Sequence, residues 1–173
     1  DQVRAIDDGM DRWGVLVFHD QRFDDDTQLA FTRNFGELEI SSGAEMSKPH
    51  EMRLKLEMAD ISNLDAQNRI READDKKRLG ALGNRLWHSD ASFRAVPAKY
   101  SLLSARIVPP TGGNTEFADM RGAYDALDAA TKAEVEDLIT LHSNAYSRDT
   151  IGFGKADYGA DNQDNLRPVR HRL

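Results

Sequence analysis

The sequence predicts a mainly β fold with inserted helices, of the β-sandwich or jelly-roll type. Three observations support this fold class: apolar, strand-like runs lie near the start of the chain and at residues 99–108, a strand-like motif lies at 167–170, and segments with helical spacing lie between them. Helices and strands do not alternate regularly, as they would in an α/β fold. With 173 residues, of which 39% are hydrophobic and 31% charged, the chain has the size and composition of one globular domain.

Three elements are predicted in the first forty residues. Apolar residues at helical spacing predict a helix over residues 3–13, and the continuous apolar run at 15–18 predicts a buried strand. A second helix is expected to begin at the capping residues 24–27 and to end at Gly36.

The next part of the chain is less regular. Residues 41–52 are typical of a loop, and the apolar positions of 54–61 predict a strand. Residues 65–78 hold four acidic and five basic side chains and little apolar surface. This composition favours a solvated loop or a short helix, and a mobile lid over a site is the alternative.

The second half of the chain begins with the β-rich run at 99–108, which the prolines and glycines of 109–113 interrupt sharply. A corner at this point would return the chain as a strand over 115–117. Asp119 is then expected to cap a helix, and a further helix is predicted over 131–139.

The composition excludes several classes of function. A net charge of −7 disfavours binding to nucleic acid and to anionic membrane surfaces. The absence of cysteine excludes disulfides, zinc–thiolate sites, iron–sulfur ligation and cysteine nucleophiles. No stretch approaches the roughly 20 apolar residues of a membrane span, and the first residues lack the apolar core of a secretory signal. We therefore expect a soluble, cytoplasmic protein.

The motif Trp87-His88-Ser89-Asp90 has the spacing of a metal-binding pair. On a β-strand, side chains two residues apart leave the same face, so His88 and Asp90 can reach one metal ion together. An imidazole and a carboxylate are two of the three ligands of the 2-His-1-carboxylate facial triad, which holds non-haem Fe(II). The alternative is a histidine that is simply packed and hydrogen-bonded beside the tryptophan.

The order of several motifs along the chain resembles the taurine/2,4-dichlorophenoxyacetate dioxygenase family, and more closely its aryloxyalkanoate-cleaving branch. The resemblance covers nearly the whole chain, and its most specific parts are the run around His88 and the run Gly112-Gly113-Asn114-Thr115-Glu116-Phe117. The matching segments are 16–18, 31–36, 59–63, 84–93, 100–105, 108–121 and 123–127.

The resemblance implies a double-stranded β-helix, or jelly roll, and an enzyme that uses Fe(II) and 2-oxoglutarate, with ascorbate as a possible reductant. His88 and Asp90 match the first two iron ligands of the family, in the catalytic centre. Thr115 matches the threonine that binds the far carboxylate of 2-oxoglutarate, and Asn84 matches a position that lines the substrate pocket. Without the family context, Thr115 is an ordinary β-former and Asn84 a turn residue.

The resemblance also implies the reaction. The family oxidises a C–H bond of a small organic molecule with O₂ and releases succinate and CO₂. Its aryloxyacetate branch hydroxylates beside the ether oxygen, and the product falls apart into a phenol and glyoxylate; a sulfonate such as taurine is the alternative substrate. An anionic substrate needs a cation, and Lys55 and Arg69, with Arg53 and Arg71, lie in segments that could supply one or could be surface charges.

Two residues of the family pattern have no counterpart in this chain: a second iron histidine and an arginine for 2-oxoglutarate. Neither His142, which is expected to follow a helix, nor His171, in a basic terminal run, is assigned to iron. We therefore expect residues 1–173 to form a single dioxygenase domain that is truncated at both ends. The alternative is a catalytically incomplete fragment or pseudoenzyme that acts as an interaction module; whether it forms a homo-oligomer stays open.

Overall fold

A computed structural model of the chain describes residues 1–40, 52–152 and 167–173. Short 3₁₀ helices over Arg33–Phe35 and Leu82–Arg85 follow the second and third α-helices. The predicted loop at 41–52 lies, except for its last residue, outside the described residues. In chain order, the other elements of the described ranges are α1 (Gln2–Trp13), α2 (Asp25–Thr32), α3 (Lys76–Ala81), α4 (Met120–Asp125), α5 (Ala129–Val135), β1 (Ile139–His142), α6 (Asn144–Asp149) and β2 (Val169–Arg172).

Three predicted helices are confirmed, and aspartates begin two of them as expected. The Oδ1 atom of Asp24 accepts a hydrogen bond from the backbone N–H of Thr27 at 2.8 Å, which caps α2. Asp119 caps α4 in the same way through the backbone N–H of Arg121, at 3.0 Å. Helix α2 itself ends at Thr32, and the 3₁₀ turn that continues it ends at the predicted Gly36, whose φ of 143° favours glycine.

The prediction of a helix over 131–139 is wrong at both ends. Helix α5 is capped by Asp128, whose Oδ1 accepts from the backbone N–H of Thr131 at 2.9 Å, so the helix begins two residues earlier. It ends at Val135, and Ile139 already belongs to β1. His142 consequently lies in a strand and not after a helix, because the helix stops before the β-branched pair Ile139-Thr140.

The two strands form one antiparallel ladder in which Thr140 pairs with His171. This confirms the strand predicted near 167–170, which is observed as β2. The strands predicted at 15–18, 54–61, 99–108 and 115–117 are wrong: within the described residues these runs have no strand partner, and an apolar run becomes a strand only where a second chain segment completes its hydrogen bonds. Helices therefore predominate over strands in the part of the chain that the structure describes.

The chain divides into two compact units. The first comprises Asp1–Glu37, Leu102–Leu138 and Leu173, and the second comprises Leu38–Ser101 and Ile139–Arg172. Among the described residues, the buried hydrophobic side chains are Leu29 in the first unit and Ala145 in the second. Many larger apolar side chains are exposed in both units. None of the helices in the described ranges has the length and hydropathy of a membrane-spanning helix.

Candidate metal and substrate site

The His88 segment, which we define as residues 83–90, follows helix α3 and carries the predicted metal ligands. Asp75 caps this helix, because its Oδ1 accepts from the backbone N–H of Arg78 at 3.0 Å. The 3₁₀ turn over Leu82–Arg85 closes the helix, and residues 87–89 have no regular secondary structure. The prediction that His88 and Asp90 share a strand is therefore wrong, although their proximity does not depend on it.

The imidazole of His88 contacts two oxygen atoms. Its Nδ1 lies 2.6 Å from the carbonyl oxygen of Leu86, and its Nε2 lies 3.1 Å from Oδ1 of Asp90. A carbonyl oxygen only accepts hydrogen bonds, so Nδ1 carries a proton and donates it to Leu86. In the neutral form of the ring, this tautomer places the lone pair on Nε2, beside the carboxylate of Asp90.

This donor set fits a divalent metal ion. A lone pair on Nε2 and a carboxylate oxygen at 3.1 Å attract each other only through a cation, which is either a second proton on the ring or a metal ion. Metal-binding histidines commonly donate their other ring N–H to a backbone carbonyl, as His88 does to Leu86. Both side chains are also accessible, with 43% of His88 and 61% of Asp90 exposed. The structure therefore brings the predicted pair together, in a tautomer of His88 that a metal-binding histidine also uses.

A third protein ligand is not found in the described ranges, where no group of three His, Asp or Glu side chains could hold a metal ion. His142 and His171 contact each other instead, with their ring centroids 5.2 Å apart. The Nε2 atom of His171 also donates a hydrogen bond to the backbone carbonyl of Arg94 at 3.1 Å. Neither histidine is therefore assigned to the metal.

Asn84 lies on the 3₁₀ turn before His88, where its side chain meets an arginine that sequence reasoning did not identify. The Nη2 atom of Arg148, on helix α6, donates to Oδ1 of Asn84 at 3.3 Å. Its Nη1 atom donates to the backbone carbonyl of Gly80 at 3.1 Å. No motif in the sequence links residues so far apart, so this contact had no signal that could have revealed it.

We define residues 53–78 as the arginine-rich segment. A solvated loop or a short helix is predicted at 65–78, and both are present there: a loop up to Asp75 and the start of α3 at Lys76. An isolated antiparallel bridge joins Leu64 to Ile70, and α3 begins at Lys76. The guanidinium of Arg53 binds three neighbours: Nη1 donates to Asp60 at 3.0 Å and to Ser62 at 2.8 Å, and Nε donates to Asn68 at 3.0 Å.

The other cations of this segment also have local partners. Arg71 donates to the backbone carbonyl of Leu64 at 2.9 Å and to Asp75 at 3.2 Å. Arg69 forms an ion pair with Asp65 at 2.9 Å, but 73% of its side chain is exposed. Lys55 is exposed too. Of the cations predicted to meet a substrate, Arg69 and Lys55 are thus the accessible ones.

Thr115 lies in the first unit, in an exposed stretch without regular secondary structure. The predicted corner before it is present: Gly112 and Gly113 have φ of 70° and 72°, in the left-handed region that favours glycine. A Cβ at Gly113 would also lie 2.9 Å from the ring of Pro109. The backbone of this turn therefore favours glycine at positions 112 and 113.

Comparison with known proteins gives consistent results. The family model described as "Taurine catabolism dioxygenase TauD, TfdA family" matches residues 1–173. The alpha-ketoglutarate-dependent 2,4-dichlorophenoxyacetate dioxygenase of Burkholderia sp. (strain RASC) is 41% identical over 97% of this chain and 56% of its own length. The protein of the same name from Cupriavidus pinatubonensis (strain JMP 134 / LMG 1197) is 42% identical over 99% of this chain and 59% of its own length.

A solved structure supports the same relationship. The "Crystal structure of AAD-2 in complex with Mn(II) and N-oxalylglycine" matches 99% of this chain and 59% of that one, with a TM-score of 0.91 and 50% identity. The chain therefore has the fold of the corresponding part of that protein, and it spans less than three fifths of the length of the relatives it matches. The sequence resemblance is confirmed, and the chain belongs to the taurine catabolism dioxygenase TauD, TfdA family.

Proposed function

We propose that the whole protein is an Fe(II)- and 2-oxoglutarate-dependent dioxygenase that hydroxylates an anionic small molecule, of the aryloxyacetate class. The observation that carries this proposal is the geometry of the His88 segment: Nδ1 of His88 donates to Leu86, so a neutral ring has its lone pair on Nε2, 3.1 Å from the carboxylate of Asp90. Fe(II) bound there would supply the redox chemistry that couples oxidation of the substrate to decarboxylation of 2-oxoglutarate.

The substrate class follows from the relatives and from simple ether chemistry. Relatives over 40% identical are named for 2,4-dichlorophenoxyacetate, an aryl ether with one carboxylate. Hydroxylation of the carbon beside the ether oxygen gives a hemiacetal, which breaks its C–O bond and releases a phenol and glyoxylate. In this proposal Asn84 lines the substrate pocket, and Lys55 and Arg69 are the cations for the carboxylate. To bind the substrate carboxylate, Arg69 would have to break its ion pair with the carboxylate of Asp65.

The proposal also includes the binding of 2-oxoglutarate and two family residues that this chain lacks. Thr115 would donate its hydroxyl hydrogen to the far carboxylate of 2-oxoglutarate. The second iron histidine and the arginine that the family pattern includes would lie outside these 173 residues, on further strands of the same jelly-roll domain. The share of the relatives' length that this chain covers, 56% and 59%, leaves room for such strands.

The test compares three forms of the full-length protein: wild type, Asp90→Ala and Asp74→Ala, the last removing an exposed aspartate outside the proposed site. We expect wild type and Asp74→Ala to bind Fe(II) and 2-oxoglutarate without O₂, with a charge-transfer absorption band, and to release succinate when 2,4-dichlorophenoxyacetate and O₂ are added. Asp90→Ala should do neither, because it loses a metal ligand.

Two results would contradict the proposal. Substrate-dependent succinate release by Asp90→Ala would exclude Asp90 as a ligand. A wild-type protein that binds neither Fe(II) nor 2-oxoglutarate would favour the alternative of a catalytically incomplete interaction module. A panel that includes taurine would separate the aryloxyacetate class from the sulfonates.

A further inference from the structure

The guanidinium of Arg148 occupies the space of a side chain at position 83. Gly83 is buried, and a Cβ atom there would overlap Nη1 and Cζ of Arg148 and lie 2.9 Å from its Cδ. The backbone of Gly83 is not in the left-handed region, so its conformation alone does not require glycine. A side chain at position 83 would therefore require the guanidinium of Arg148 to move.

Helix α6 fixes Arg148 in this place. The helix is capped by Ser143, whose hydroxyl oxygen accepts from the backbone N–H of Tyr146 at 3.1 Å. Ala145, three residues before Arg148 and hence on the same side of the helix, is 1% exposed. From this anchored helix the guanidinium reaches the end of α3, at the Gly80 carbonyl, and the side chain of Asn84.

The contact also fixes which way the amide of Asn84 points. A guanidinium has only donors, so the amide atom that faces Arg148 must be the oxygen. The two N–H groups of Asn84 then remain for another acceptor, four residues before the metal-ligand histidine of the proposed site. A neutral acceptor or an anion suits this arrangement, because the positive charge of Arg148 lies directly behind the amide.

We propose that Arg148 is a positioning residue: it holds Asn84 so that the amide N–H groups of Asn84 bind an oxygen of the anionic substrate. This inference rests on the proposed function. Arg148 itself contacts Asn84 and the backbone before it, and acts on the substrate through them. Gly83 is part of the same arrangement of Arg148 and Asn84, since any larger residue at position 83 would displace the guanidinium.

The first experiment tests the contact between Arg148 and Gly83 by thermal unfolding of the full-length protein, and it does not depend on any catalytic activity. Gly83→Ala should lower Tm by about 4 °C, because the new methyl group competes with Arg148 for the same space. In the Arg148→Ala background, the same Gly83→Ala change should have little effect on Tm, because the space is then empty. Equal Tm losses in both backgrounds would overturn the proposed contact.

The second experiment measures steady-state kinetics with 2,4-dichlorophenoxyacetate. Arg148→Ala should raise the substrate KM by about tenfold, the equivalent of about 1.4 kcal/mol, and leave the KM for 2-oxoglutarate unchanged. Arg148→Lys should recover part of this loss, because lysine can donate to Asn84 but cannot bridge Gly80 as well. In the Asn84→Ala background, Arg148→Ala should add no further increase.

These outcomes separate the inference from the proposed function. If wild type releases no succinate, the proposed function fails, and the unfolding experiment still shows whether Arg148 packs on Gly83. If wild type is active but the substrate KM is unchanged in Arg148→Ala, the positioning role is wrong and Arg148 only supports the fold. Should Arg148→Ala not fold, Gly83→Ala carries the same KM prediction, since it displaces the same guanidinium.

Discussion

The His88 segment and the arginine-rich segment are both polar and lie in the same unit of the chain, but they use their polar groups differently. In the arginine-rich segment, Arg53 and Arg71 bind oxygen atoms of the segment itself, and their side chains are only 20% and 17% exposed. In the His88 segment, hydrogen bonds to the protein fix one end of His88 and of Asn84, and the Nε2–Asp90 pair and the amide N–H groups of Asn84 remain for a ligand. A dense cluster of charge can therefore be structural where its groups bind one another, whereas a binding site is marked by groups that are oriented but keep donors or acceptors for a ligand.

Replacing Asn84 by aspartate should give the largest effect, because it keeps the contact with Arg148 but reverses the polarity of the free end. The variant loses two N–H donors and presents a carboxylate to an anionic substrate. Loss of a hydrogen bond to a charged group costs about 1.5–3 kcal/mol, and the like charge adds to this cost. We expect the KM for the aryloxyacetate to rise by about 100-fold while Tm does not fall.

The control for Asn84→Asp is Asn63→Asp, which adds the same negative charge at an exposed position of the arginine-rich segment. Steady-state kinetics of both variants, with thermal unfolding alongside, measure the two effects separately. An equal KM increase in the two variants would mean that net charge, and not the amide of Asn84, governs substrate binding.

Replacing Arg53 by methionine should have the opposite pattern: a loss of stability with no effect on substrate binding. Methionine preserves much of the side-chain volume but none of the hydrogen bonds to Asp60, Ser62 and Asn68. The unfolding free energy should fall by about 2 kcal/mol, because a half-buried charged group loses several hydrogen bonds at once. Urea denaturation of the full-length protein measures this loss.

The matched control for Arg53→Met is Arg4→Met. Arg4 pairs with Asp8 at 4.0 Å, and both side chains are more than two thirds exposed, so this pair should contribute little to stability. A similar loss in both variants would show that the hydrogen bonds of Arg53 have no special role, and the contrast between the two segments would weaken.

Acid should weaken the arginine-rich segment through two aspartates. The backbone N–H of Arg69 donates to Asp65 and holds the pKa of that carboxyl below its ordinary value of 3.8. Partial burial raises the pKa of Asp75, but hydrogen bonds from the Arg78 backbone and the charge of Arg71 outweigh it and leave that pKa also below 3.8.

The sign of the pH effect follows from these directions. The folded state binds fewer protons at Asp65 and Asp75 than the unfolded chain does, so their stabilisation is complete above pH 3.8 and is lost as the pH falls through the lowered values. Urea denaturation between pH 6 and pH 3 should show a shallower acid loss in Asp65→Asn than in wild type. The same slope in both would exclude Asp65 from this effect.

The helices were predictable because the interactions that start and stop them are local. The carboxylates of Asp24 and Asp119 bond to backbone N–H groups two or three residues later, and such contacts can be inferred from sequence alone. The apolar runs at 15–18 and 99–108 were assigned to strands, but their hydrophobicity did not specify a partner, and the described residues provide none.

The candidate site likewise combines a local contact, which the sequence predicts, with a long-range contact, which it does not. His88 and Asp90 are two residues apart, so the sequence predicted their proximity even though it assigned the wrong secondary structure. Arg148 lies 64 positions after Asn84, and only the fold brings the two together. Contacts of this range follow from the packing of α6 against the turn before His88, which no local pattern encodes.

Arg69 differs from Arg53 and Arg71, because it is the arginine of this segment that is proposed to bind substrate. Its side chain is 73% exposed and its main partner is the single carboxylate of Asp65, so Arg69→Gln should cost less than about 1 kcal/mol of unfolding free energy. If Arg69 meets the substrate carboxylate as predicted, the KM should nevertheless rise by about two- to fivefold, since an exposed ion pair is weak. Arg4→Gln, at another exposed pair four residues apart, is the control for the loss of one positive charge. An unchanged KM in Arg69→Gln would remove Arg69 from the substrate site and leave Lys55 as the one residue of the arginine-rich segment proposed to bind substrate.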